Sequence, residues 1–334
     1  MDKCLLAFNI TFHPIYRFSQ FYTLAVSLAA VYPLAFLIYR QLWRSIFHGN
    51  LKALLIAYFS QILFSALLNS IIFAHHSLQP LVADSPCDLL ISKPLFQVLQ
   101  PLAVLAISSP TLVTLAISIE RVITLIFADC YEHHRVLIGP LLLLFIGLIE
   151  LLLIYHLFKD ETFDDHLISF LMTPSTSANG LNVFFWSLFS ANSANLVVNC
   201  TLLYCTNCLA KRRRGSLSTR FQMEELIVTT KFTVCVSLIH VLFFAVYLSC
   251  ILAVRTLGER YFANYINYMV ARGIFNVLPT YNLLIGPVAI FWLDRLSKLR
   301  SRRVQHEVQI KYGGKEGALK HDLAIQKYWN SVIL

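Results

Sequence analysis

The sequence predicts an all-helical integral membrane protein, a bundle of seven transmembrane helices with its N-terminus outside and its C-terminus in the cytoplasm. Seven apolar stretches begin near Phe21, Ala53, Leu95, Val136, Asn182, Val228 and Tyr265. Each runs for roughly 20 residues or more, and a helix rising about 1.5 Å per residue then crosses a hydrocarbon core of about 30 Å. Hydrophobic residues make up 57% of the chain and charged residues 13%, a balance that a soluble domain does not show. Lysine and arginine alternate in density between successive connecting segments, which sets the orientation.

With the N-terminus outside, the inner segments hold Arg40, Arg44 and Lys52, then Arg121 and Arg135, then Lys211 to Arg214 with Arg220 and Lys231, and finally the tail from Arg295 to Lys327. The outer segments hold Lys3, Arg17, Lys93, Lys159, Arg255 and Arg260, while Arg272 lies inside a span. The net charge of +9 therefore belongs to the cytoplasmic face, where it meets anionic headgroups and partner proteins rather than nucleic acid. Three regions follow: an outer N-terminal segment, 1–19; the seven-span domain, 20–293; and a basic cytoplasmic tail, 294–334. Residues 1–19 carry no apolar core of their own, so the first span is expected to serve as an uncleaved anchor.

Taken in order, the outer segment offers Cys4 and the sequon Asn9-Ile10-Thr11, a candidate glycosylation site; a chance triplet is the alternative. Cys4 and Cys87 alone fall in clearly extracellular segments, where an oxidising exterior favours their pairing over two free thiols. Many seven-helix receptors anchor a disulfide where Cys87 stands, but the usual second-loop partner is missing, because Lys159 to Leu181 contains no cysteine. The fourth span carries Glu150, readable as a functional acid, a protonated structural one or a lipid-facing one. Beyond it, Asp160, Glu161, Asp164 and Asp165 read as a solvated acidic loop rather than a calcium site, since the glycine turn and terminal glutamate of an EF-hand are absent. The fifth span contains a second sequon at Asn199, expected to stay unmodified in the membrane, and Cys200, Cys205 and Cys208, which suit packing or inner-face palmitoylation better than metal binding. Arg212-Arg213-Arg214-Gly215-Ser216 offers a serine to a basophilic kinase, and its basic run suits lipid headgroups.

At the inner end of the third span stands Ser118-Ile119-Glu120-Arg121-Val122-Ile123. An arginine at this depth needs water or an acidic partner. Glu120 and Arg121 resemble the acidic–arginine pair that G-protein-coupled receptors place at this helix end, held at rest and released toward the G protein on activation. Glu224 and Glu225, opening the sixth span, are candidates for the resting counter-charge. The plain alternative is a pair satisfied by interfacial water.

Further motifs make the resemblance more specific. Leu217-Ser218-Thr219-Arg220-Phe221-Gln222-Met223-Glu224-Glu225, the early Cys4, Asp84-Ser85-Pro86-Cys87-Asp88, and Ile119-Glu120-Arg121-Val122 followed by Tyr131-Glu132 resemble the nematode serpentine chemoreceptors of the Sra superfamily, class alpha or alpha/beta. That resemblance covers most of the chain. It implies a multi-pass plasma-membrane receptor of a chemosensory neuron, with the sensory cilium as candidate site, that binds a small-molecule chemical ligand and signals through a heterotrimeric G protein. A second receptor copy is a further candidate partner. The chain departs from rhodopsin-like receptors: the sixth span, Val228 to Val254, has neither proline nor tryptophan, and the seventh reads Leu278-Pro279-Thr280-Tyr281-Asn282-Leu283-Leu284-Ile285-Gly286-Pro287. Its two prolines predict bends.

Elimination narrows the ligand. The seventh span has no lysine for a retinal Schiff base, and the outer half of the third has no aspartate for an amine. Arg272 is the basic residue deep in a span, with Tyr265, Tyr268, Met269, Phe275 and Asn276 around it at helical spacing. Tyr247 is expected to approach from the sixth span, and Phe184, Phe185 and Trp186 from the fifth. Such a pocket suits a small, partly apolar ligand bearing a carboxylate. The alternatives are an Arg272 that snorkels or meets backbone carbonyls, and aromatics that simply pack.

Other classes fit less well. No His-x-x-x-His, His-Glu-x-x-His or Gly-x-Ser-x-Gly motif occurs, so neither catalytic chemistry nor a bound cofactor is expected. A ligand-gated channel or transporter is the alternative, but inverted repeats are not visible and intramembrane charges are few.

Overall fold

The computed structural model describes residues 3–45, 47–127, 136–163, 168–170, 173–174, 176–212, 217–262, 264–311 and 322; at 211–212, 217–222, 224, 255, 258–260 and 299–311 it describes the backbone only. The described residues are helical or in connections, with no strand among them. In chain order the helices are α1 Lys3–Thr11, α2 Pro14–Phe36, α3 Gly49–Val82, α4 Lys93–Ile126, α5 Ile138–Phe158, α6 Ala178–Arg212, α7 Leu217–Tyr261, α8 Tyr265–Ile274 and α9 Leu278–Lys311. Seven stretches are long and apolar enough to span a bilayer: Pro14–Leu42, Gly49–Val82, Pro86–Ile126, Ile138–Phe158, Ala178–Ala210, Glu225–Val254 and Tyr265–Lys298. By contact the chain divides into Met1–Ala289 and Ile290–Leu334.

Local chemistry sets the helix ends. Pro14 opens α2 and Pro94 the first turn of α4, where a missing N–H costs nothing because it has no intrahelical partner. Asn264 caps α8 by accepting the Asn267 N–H at 2.8 Å. Within the first span α2 passes into a wider π turn, Leu37–Leu42, four residues after Pro33. The seventh span is two helices: the chain leaves α8 at Phe275 and re-enters α9 just before Pro279, so one expected bend is a break, while α9 runs through Pro287.

The helix that carries the first span starts earlier than its apolar stretch. α2 is continuous from Pro14 through the expected seam at residues 19–20, and Ser19, Gln20 and Thr23 are buried. The polar residues that placed the N-terminal boundary lie on the packed face of a helix.

In the unit Met1–Ala289, α2 packs on α3, α3 on α4, α4 on α5 and α6, and α6 on α7. α4 is the central helix, with 61% of its apolar window buried against 11% for α5. α5 is apolar on every side, as a helix mostly bathed in lipid should be. Its approach to α3 depends on Gly139, where an added Cβ would stand 2.5 Å from the Asn50 carbonyl oxygen.

Polar side chains on α4 face its neighbours. Ser108 and Ser109 donate to the Glu150 carboxylate on α5, the latter at 2.6 Å. The Thr114 hydroxyl meets Asn192 and Asn195 of α6, and Ser118 receives the Asn199 amide at 2.7 Å. The open question about Glu150 thus resolves geometrically: it turns inward onto α4. In hydrocarbon such groups need protein partners, and these bonds fix the rotation of each helix about α4.

Candidate ligand cavity and signalling clasp

A cavity of about 130 Å³ lies among α3, α4, α6, α7, α8 and the start of α9. Leu68, Ile72, Phe73, Val104, Phe185 and Leu248 give it apolar walls, while Asn69, Gln100, Asn182, Asn276 and Arg272 supply polar groups. Arg272 reaches it because α8 is a single short helix, which turns that face inward and leaves the residue buried. Its Nη2 donates to the Thr173 hydroxyl at 2.8 Å, and its guanidinium carbon lies 5.9 Å from the Tyr268 ring centre. An arginine held by a hydroxyl and an aromatic face is oriented for an anion.

The aromatic residues expected around it separate into two groups. Tyr247, Trp186 and Phe185 line the cavity, as does Asn276. Tyr268 does not; it stacks beneath Arg272 and packs with Tyr265 and Phe262. Met269 is buried in a separate cluster with Leu6, Ile10, Tyr16 and Ile168, and Phe184 in another with Ile154, Leu181 and Phe244. Residues three or four apart share a helix face, but which side of that face meets the cavity is decided by the neighbouring helix. Phe170, Thr173, Gln100 and Asn69 line the cavity without having been singled out in the sequence. Gln100, a polar residue amid the apolar run of α4, was the available signal.

Cys4 and Cys87 are bonded, 83 residues apart. The bond seats α1 on the α3–α4 connection, burying Leu6, Ala7 and Ile10 against Leu89. Asn9 stands partly exposed on α1, whereas Asn199 is fully buried. Glu161 is tied into its loop: its carboxylate accepts the Phe163 N–H at 3.2 Å and the Ser177 N–H at 2.8 Å. Partial burial pushes this carboxyl up, but hydrogen bonds from Thr176, Ser177 and Phe163 outweigh it and hold Glu161 below its ordinary value. Asp164 and Asp165 lie outside the described residues.

At the other end of α4, Glu120 and Arg121 are both buried and clasped together. Arg121 donates to the Glu120 carboxylate from Nε at 2.5 Å and Nη2 at 2.6 Å, and from Nη1 to the Thr229 hydroxyl of α7 at 2.8 Å. Glu225, expected as the counter-charge, is elsewhere: its carboxylate accepts the His48 N–H at 3.1 Å. Glu120 already gives the guanidinium a bidentate carboxylate, so α7 contributes a hydroxyl instead. The side chains of Arg220 and Glu224, like Tyr131 and Glu132, lie outside the described residues.

Seven spanning helices, a cavity at one end of the central helix and a buried acid–arginine clasp at the other define a receptor-type membrane bundle. A profile described as serpentine type 7TM GPCR chemoreceptor Srb matches residues 12–244. Three Caenorhabditis elegans proteins are similar along their whole length: serpentine receptor class beta-6, 42% identical over 99% of this chain and 98% of its own; class beta-1, 42% over 99% and 98%; and class beta-13, 41% over 99% and 96%. The chain belongs to the serpentine type 7TM GPCR chemoreceptor Srb family and is a multi-pass membrane protein. The relatives are of class beta, not the Sra superfamily classes alpha or alpha/beta that the motifs resembled. The acid–arginine and cysteine motifs identify a nematode serpentine receptor without separating its classes.

Proposed function

We propose that this protein is a chemosensory G-protein-coupled receptor that binds a small extracellular ligand in the cavity at Arg272 and signals to a heterotrimeric G protein at the face beside Arg121. The observation that carries this reading is that α4 serves both regions. Gln100 and Val104 wall the cavity, and Arg121, on the same helix, lies about 30 Å further along at 1.5 Å per residue. This one helix, with Pro110 between the two regions as a point where it can bend, couples ligand contact to the clasp by a small shift or rotation. The distribution of lysine and arginine supports an outside N-terminus and a cytoplasmic basic tail from residue 294, and membership of a chemoreceptor family supports residence in the plasma membrane of a sensory neuron and its cilium. Arg220, Glu224 and Glu225 border the G-protein face in this scheme, and Arg272, Tyr247 and Trp186 meet the ligand, with Tyr268 positioning the arginine.

The test is expression of the full chain with a G-protein readout, screened against volatile and water-soluble compounds. A response that Arg272→Ala removes while surface expression is kept supports the reading. Ligand-evoked current persisting in cells without functional G protein would replace it with a channel. Epitope tags on both ends, accessible from one compartment, would overturn the topology.

A further inference from the structure

The cavity wall has a thin place. Of the side chains that line it, Trp186 and Leu252 are the exposed ones, at 42% and 40%, and every other lining residue is buried or half-buried. Both stand on the pair α6 and α7, which pack against each other. Trp186 lies about 12 Å from the Ala178 end of α6, and Leu252 about 13 Å from the Tyr261 end of α7, at 1.5 Å per residue. The two residues line the same cavity from these two neighbouring helices. Both fall within the stretches Ala178–Ala210 and Glu225–Val254, so their outer sides meet acyl chains rather than water. At these two side chains the cavity lining is also outer surface of the protein.

Toward the loops the cover is heavier. Phe170 and Thr173, in the connection between α5 and α6, line the cavity from that side. Phe170 is buried and stacked on Phe96 at 5.7 Å. Ser169 beside it is fully buried and accepts the Tyr16 hydroxyl at 2.8 Å, and Thr173 holds Arg272. The lining contains Arg272 and no aspartate or glutamate among the described residues.

We infer that the ligand is a membrane-partitioning acid, an apolar chain ending in a carboxylate, that enters sideways from the bilayer through the α6–α7 seam, with Trp186 and Leu252 as its gate and Arg272 as its anchor. This rests on the cavity being the ligand site. The chemistry agrees at each step. Each added methylene raises the share of such an acid in the membrane about fourfold, so the bilayer concentrates it at the seam. The carboxylate matches the guanidinium fork, and the apolar walls take the chain nearest it. A tail too long for so small a cavity remains between α6 and α7.

Tritiated decanoate binding to the full chain in nanodiscs tests the route. Leu252→Trp thickens the wall and should slow association tenfold or more. Trp186→Ala thins it and should speed association even though the lost contact with the ligand weakens Kd, which decides the matter independently should Leu252→Trp fail to fold. Arg272→Gln should weaken Kd at least tenfold. Absence of saturable decanoate binding to the wild type overturns the ligand class. Rates indifferent to both gate variants, with Arg272→Gln still weakening Kd, overturn the lateral route and leave the cavity as the site. Saturable binding indifferent to Arg272→Gln overturns the site itself.

Discussion

Replacing Thr229 by valine should free Arg121 from α7 and raise signalling in the absence of ligand. The bond runs from Arg121 Nη1 to the Thr229 hydroxyl at 2.8 Å, between buried residues. Among the described residues it ties α7 to the clasp, so a resting state that keeps α4 and α7 together at this end draws on it. A hydrogen bond to a charged group contributes about 1.5–3 kcal/mol. If activation breaks that bond, its removal shifts the ratio of active to resting receptor by about 10- to 150-fold at an RT of about 0.59 kcal/mol. Valine keeps the branched shape of threonine and removes only the hydroxyl, whose own proton goes to the Glu225 carbonyl at 2.8 Å, an acceptor within the same helix. The assay is ligand-independent nucleotide exchange on a heterotrimeric G protein by the purified receptor in nanodiscs. Thr229→Ser keeps the hydroxyl and should behave as wild type. Equal basal exchange in wild type, valine and serine variants would refute the reasoning, as would a serine variant as active as the valine one.

Further outcomes are expected elsewhere. Cys4→Ser with Cys87→Ser should lower stability by about 2–4 kcal/mol, read as a drop in melting temperature that reductant imposes on the wild type but not on the variant. The Tyr281 hydroxyl bonds both Tyr58 at 2.7 Å and His240 at 2.9 Å, so Tyr281→Phe should cost about 1–3 kcal/mol and lower the melting temperature more than Tyr58→Phe; equal losses would contradict the network. Glu161 is held below the ordinary 4.5, so the stability it lends its loop is full above that value and lost as pH falls below it through the lowered one. Protection of the Phe163 and Ser177 amides, taken relative to their intrinsic exchange at each pH, should therefore hold from pH 7 to 5 and fall only further down, and Glu161→Gln should abolish that step; loss of protection between pH 7 and 5 would contradict it. Asn9→Gln should remove any glycosidase-sensitive mobility shift and Asn199→Gln should change none, because Asn199 is fully buried and donates to Ser118.

The spans were legible because a bilayer imposes a minimum length of apolar helix that any window average detects. The same averaging does not show how far the first helix extends beyond its apolar stretch. Ser19 and Gln20 lower the local hydropathy, yet both are buried, and Arg17 lies 5.6 and 5.5 Å from the Phe12 and Phe21 rings. Hydropathy counts polar residues without asking which side of the helix carries them. The candidate site was half legible for the same reason. Arg272, Trp186 and Tyr247 stand out as a deep cation and large aromatics, but Phe170 and Thr173 come from a loop whose path over the cavity has no local signal. Met269 shares the helical neighbourhood of Arg272 and is buried in another cluster, while Tyr268 stacks on the guanidinium without lining the cavity.

The amino-acid sequence by itself determined that the chain spans a bilayer seven times, where its basic residues concentrate and which receptor group its motifs resemble. These depend on length, hydrophobicity and short spacings, which are properties of neighbouring residues. Tertiary structure alone decided that Arg121 meets Thr229 rather than Glu225, that Glu150 turns onto Ser108 and Ser109, and that Trp186 and Leu252 line one cavity. Each of those pairings depends on how far a helix is rotated and how deep it sits against its neighbours, and packing around α4 fixes both.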